Sequence, residues 1–126
     1  MIIQTIVQGD EPTESGRTLS TEELTKALEV YNQKDVRLGE VMDENFTVNS
    51  SIDLANTAFI IEDAFLDEDN ILCAQIKPLD TPMGKIIFHE GLLPNIKFTP
   101  RYSGVVNEDG TVTDIEMISI DAYNGV

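Results

Sequence analysis

Two short acidic turns, Asp67-Glu68-Asp69-Asn70 and Glu108-Asp109-Gly110, each separate a pair of apolar, β-branched runs. Residues 57–66 and 71–79 flank the first, and residues 96–106 and 111–122 flank the second. Val, Ile, Phe and Tyr suit a pleated, half-buried backbone, whereas Asp, Asn and Gly tolerate the backbone of a turn. Each pair therefore predicts a β-hairpin. Strands joined mainly by hairpins imply an antiparallel sheet or small barrel with helices packed outside it.

The remaining elements fit around that sheet. Residues 2–7 read as a first strand, ended by Gly9-Asp10-Glu11-Pro12. Ser20-Thr21-Glu22-Glu23 has the spacing of a capping box, in which the Ser hydroxyl and the Glu carboxylate satisfy backbone amides reciprocally. Leu24, Ala27, Leu28 and Tyr31 then recur at helical spacing and predict one core-facing stripe. Residues 36–41 read as a short strand, and 42–56 as a long polar loop. Thr81-Pro82 predicts a second helix, with Thr as N-cap and Pro at the first helical position, ending at Gly91. The expected class is α+β: a compact antiparallel β-barrel-like domain, residues 1–126, with two peripheral helices.

Chain length and charge bound the function. A chain of 126 residues buries enough surface to fold as one domain without a metal or disulfide. The single cysteine, Cys73, lies in the apolar run Ile71-Leu72-Cys73-Ala74 and reads as a buried thiol. No signal peptide or membrane-spanning stretch is visible, so a reducing, intracellular setting is expected. The net charge is −15, from 23 acidic and 8 basic residues. Direct binding to a phosphate backbone is therefore not expected. Residues 38–76 carry nine acids and no Lys or Arg, and five more acids follow Arg101 without a base. That imbalance fits solubility, or a surface that docks on a basic partner. Asp67-Glu68-Asp69-Asn70 lacks the ligand spacing and central Gly of a calcium loop. No phosphate loop, zinc spacing or nucleotide fingerprint occurs, so no cofactor or metal is expected.

Several segments, in order, resemble the prohead (capsid maturation) proteases of large tailed phages. Gly16-Arg17-Thr18-Leu19 is similar to the segment before that family's first helix. Leu38-Gly39-Glu40-Val41 resembles the Gly-Glu-Leu that precedes its catalytic histidine. Ile52-Asp53-Leu54 and Ala58-Phe59-Ile60-Ile61-Glu62-Asp63 resemble the following loop and strand. Leu79-Asp80-Thr81-Pro82-Met83-Gly84-Lys85 resembles the linker and helix before the nucleophile. Phe98-Thr99-Pro100-Arg101-Tyr102-Ser103-Gly104 stands in place of the Ser-x-Arg-Gly strand, and Ile118-Ser119-Ile120-Asp121-Ala122 matches the closing strand. The resemblance implies a β-barrel with surrounding helices, related to herpesvirus assembly proteases. It also implies serine acyl transfer, with a histidine as base and backbone amides holding the oxyanion.

By this resemblance the serine position is Thr99 and the histidine position is Asp43. An aspartate has a reference pKa of about 4 and is a poor general base for a proton that must be returned near pH 7. Known threonine nucleophiles use an N-terminal amine, and Thr99 is internal. His89, the only histidine, reads as a helix-capping residue or as a substitute base. Ser103, four residues past Thr99, shares its face on an ideal strand and is a displaced-nucleophile candidate. Arg101 takes a structural role, and burial would oblige it to find a carboxylate. Gly39, Glu40, Arg101 and Gly104 are carried as motif residues. With the closing strand ending near Val126, a minimal domain without propeptide or targeting tail is expected.

Three readings stay open. One is a catalytically silent homologue that binds phage capsid, portal or scaffold proteins, in the host cytoplasm during assembly and in the virion. The second is an acidic decoy for a basic host or defence protein. The third is an active maturation protease using Thr99.

Overall fold

The computed structural model describes residues 2–13, 16–42, 52–89 and 96–124, with the backbone alone for residues 2, 3, 89 and 124. The strands are β1 (Ile2–Gln8), β2 (Thr18–Leu19), β3 (Leu38–Met42), β4 (Thr57–Leu66), β5 (Ile71–Pro78), β6 (Ile96–Val106) and β7 (Thr111–Asn124). The helices are α1 (Thr21–Tyr31) and α2 (Pro82–His89). A 3₁₀ turn at Leu54–Asn56 precedes β4.

Both hairpins form where the acidic turns place them. Asp67 accepts from the backbone amides of Asp69 and Ile71, and Asn70 takes a left-handed φ of 61°. Asp109 accepts from the amide and hydroxyl of Thr111, and these bonds hold its carboxyl below the usual range. Gly110 adopts a φ of 88°.

The strands make one curled seven-stranded sheet in the order β1-β5-β4-β3-β7-β2, with β6 on β7. The hairpins supply the antiparallel pairs. Two pairings depart from the antiparallel expectation: β2 and β3 both run parallel to β7. Strand β7 is long enough for β2 to pair at its start (Leu19 with Val112) and β3 near its end (Val41 with Ala122).

Helix α1 begins as the capping residues predict, with a different reciprocal partner. The Ser20 hydroxyl accepts from the Glu23 amide at 3.2 Å. The returning bonds come from Asp10, whose carboxylate accepts from the amide and hydroxyl of Thr21. Leu24, Ala27, Leu28 and Tyr31 are buried, which contributes about 1.5–3 kcal/mol for each large side chain. Arg37 closes the other end of α1. Its guanidinium donates to the carbonyls of Asn32, Lys34, Ile61 and Glu62, which ties the helix terminus to the bulge in β4.

At α2, Thr81 accepts from the Gly84 amide and donates to the Thr57 carbonyl at 2.6 Å. The N-cap thus also fastens the helix to β4. The core runs through Phe59, whose ring meets Phe88 of α2 and Phe98 of β6 edge-on, at 6.3 and 5.6 Å. Cys73 is buried, and burial followed by the nearby Asp67 carboxylate raises its thiol pKa.

Candidate functional site

Antiparallel pairing sets which β6 and β7 residues share a face. Thr99 lies opposite Asp121, and Arg101 opposite Ser119. Directly opposed residues point the same way, and side chains alternate along a strand. Thr99, Arg101, Ser119 and Asp121 therefore form one face. Phe98, Ile120 and Ala122 form the other and pack into the core.

Arg101 is the hub of the polar face and is 4% exposed. Its Nε donates to Asp121 Oδ2 at 2.8 Å and its Nη2 to Asp121 Oδ1 at 2.9 Å, a two-pronged grip. Nη2 also reaches Glu40 Oε2, 2.5 Å away on β3. Ser119 Oγ lies 3.0 Å from both Asp121 oxygens, and the Glu40 amide donates to Asp121 Oδ1 at 3.1 Å. Burial alone would lower the Arg101 pKa, but the bonds to Asp121 and Glu40 outweigh it and raise the pKa. Two of the chain's acids are thus interior groups rather than part of its charged surface.

Glu40 reaches this cluster because Gly39 lets β3 lie close. A Cβ on Gly39 would strike the Phe59 ring and come within 2.7 Å of the Ile120 carbonyl oxygen. Gly104 serves the same end farther along β6, where a Cβ would lie 2.7 Å from Val112 and 2.9 Å from the Thr113 carbonyl oxygen. Tyr31 of α1 is 1% exposed, and its hydroxyl has no hydrogen-bond partner among the described residues. Burial pushes its phenol well above the ordinary range.

The polar face opens onto a cleft of about 840 Å³ between the two end strands of the curled sheet. Residues 4–8 of β1 line it, as do residues 96–102 of β6, with Arg17, Met42, Asp121 and Tyr123. Thr99 is half-buried there, and its hydroxyl bonds to no other described residue. Three of the chain's eight basic residues, Arg17, Lys97 and Arg101, line this one cleft. Arg17 and Lys97 form no ion pair among the described residues.

The other site residues expected from the sequence fall as follows. Asp43 lies outside the described residues. His89 is the last residue of α2, and its side chain is outside the description. Ser103 keeps the strand alternation of Thr99, because the bulge beside Arg101 lies on β7, where Ile118 is the unpaired residue. It is nevertheless exposed and does not line the cleft. Asp121 and Ser119 were missed as site residues. Their signal is a polar alternation inside the otherwise apolar run Ile118-Ser119-Ile120-Asp121-Ala122. Among the described residues, no group of three or more His, Cys, Asp or Glu could hold a metal.

No protein-family model matches the chain, and no curated protein matches it. Among solved structures, the bacteriophage T4 capsid assembly protease gp21 is similar, with a TM-score of 0.66 and 19% identity over 99% of this chain and 97% of that one. The fold is that of a phage capsid assembly protease. The curled sheet and the two helices agree with the architecture expected from the sequence. At this identity the likeness concerns the fold.

Proposed function

We propose that this chain is a non-hydrolysing relative of the phage capsid assembly proteases, acting by binding a polypeptide segment in the β1–β6 cleft. Its partners on this reading are capsid, portal or scaffold proteins, met in the host cytoplasm during assembly and retained in the virion. The observation that carries the reading is the occupancy of Asp121. This carboxylate belongs to the residue paired with Thr99, and its oxygens already accept from Arg101, Ser119 and the Glu40 amide. It is built to hold strands together rather than to take a proton from a nucleophile. The alignment of motifs puts Asp43 where the family has its histidine, which removes the ordinary base as well.

Charge narrows the partner. Arg17 and Lys97 make the cleft locally basic on a chain of net charge −15, which suits an acidic polypeptide segment. A nucleic acid would meet the repulsion of the whole chain.

The test is calorimetric titration with purified phage capsid, portal and scaffold proteins, followed by electrophoresis of the mixtures. Micromolar binding of one of them, unchanged in Thr99→Ala and without fragments, is the expected result. Absence of binding to all three, or fragments that disappear in Thr99→Ala, overturns the reading.

A further inference from the structure

We infer that Pro100 is the residue that keeps the β1–β6 seam open. The sheet curls until its two end strands run close alongside each other, yet β1 and β6 form no ladder. Closing that gap would turn the curled sheet into a full barrel and remove both free edges. Strand β1 offers no obstacle. Its sequence Ile-Ile-Gln-Thr-Ile-Val-Gln has no proline and no charge, and only one of its edges is taken, by β5.

The obstacle is on β6. Pro100 pairs with Ile120 of β7 but has no N–H to give it. The N–H and C=O of a residue in an antiparallel strand point to the same edge, and proline is tolerated only where that edge is unpaired. The nitrogen of Pro100 therefore faces the seam. It removes a donor from the middle of the cleft-lining residues 96–102 and places ring carbons where a neighbouring strand would approach. One substitution-sized feature of the Thr99-Pro100-Arg101 stretch thus creates the cleft in which Thr99 sits.

Amide hydrogen exchange measured by NMR on the free protein tests this without any partner. In the wild type, β1 amides that do not pair with β5 should exchange on the order of 100-fold faster than those that do. In Pro100→Val, which restores the donor in a β-forming residue, these outward amides and that of Phe98 should slow by on the order of 100-fold. Cross-strand NOEs between β1 and β6 should appear with them. Outward amides already protected in the wild type, or a folded Pro100→Val with unchanged exchange, overturns the inference. Should Pro100→Val not fold, Pro100→Ala supplies the same donor with less bulk and is read by the same two outcomes. The seam does not depend on the proposed function, although its use does. A closed seam with partner binding retained would contradict cleft binding and leave the role of Pro100 standing.

Discussion

Thr99 and Asp121 are direct cross-strand partners, yet the carboxylate of Asp121 has no lone pair to spare for the hydroxyl of Thr99. Its two oxygens receive Arg101 Nε, Arg101 Nη2, Ser119 Oγ and the Glu40 amide, all within 3.1 Å. A carboxylate offers about four acceptor positions, and four donors occupy them. The pair therefore joins two roles on one face: a structural ion network and, beside it, a hydroxyl facing an open cleft.

The Thr99 side chain should be dispensable for folding. Thr99→Ala removes a half-buried hydroxyl with no partner among the described residues, so it should cost less than about 1 kcal/mol. Urea denaturation of the two proteins should give midpoints that nearly coincide.

The network should behave in the opposite way. Asp121→Asn leaves the Arg101–Glu40 charges balanced but replaces one acceptor oxygen of the two-pronged grip with an NH2 donor. A buried N–H of Arg101 thus loses its acceptor, which should cost about 2–3 kcal/mol. Arg101→Lys keeps the charge but loses the fork that grips both Asp121 oxygens, so it should not rescue stability. Urea midpoints well below wild type in both variants are expected, and a midpoint at the wild-type value in either would remove the network from the account.

Tyr31 gives a prediction with a sign that depends on pH. Its buried hydroxyl makes no hydrogen bond to another described residue, so Tyr31→Phe should be neutral or stabilising by about 1 kcal/mol at pH 7. Burial raises the folded-state pKa above the ordinary value of 10.0. The folded protein therefore holds the phenol proton more tightly than the unfolded chain does. The corresponding stability is complete below about pH 10 and is lost above it, at up to about 1.4 kcal/mol per pH unit. Denaturation followed from pH 8 to 11 should show this decline in the wild type and a shallower one in Tyr31→Phe.

Gly39 should tolerate no side chain. A Cβ there meets the Phe59 ring and the Ile120 carbonyl oxygen, so Gly39→Ala should cost about 1–3 kcal/mol by displacing β3 from its neighbours. A melting temperature unchanged from wild type would show that β3 has slack at this point.

The legible parts of this fold were those written in adjacent residues. Ser20 and Thr81 announce helix starts because a cap acts within three residues of itself. The two acidic turns announce hairpins because a hairpin joins neighbours in sequence. The parallel pairing of β3 with β7 was not legible, since Val41 and Ala122 are far apart in the chain and no turn links them. The bulge at Ile118 of β7, opposite Arg101 and Tyr102, was hidden for a related reason, since it arises from the fit of β7 to β6. Asp121 was obscured by composition, because one acid among 23 in a strongly acidic chain reads as surface charge. Its position among Ile118, Ile120 and Ala122 was the sign that it is an interior group.

The central claim is that the protease fold is used here for binding and not for cleavage. The most direct measurement is mass-spectrometric analysis of a proteome-derived peptide library incubated with the wild type and with Thr99→Ala. The account predicts no peptide cut by the wild type that is left intact by the variant. A set of cleavage products present with the wild type and absent with Thr99→Ala would contradict it.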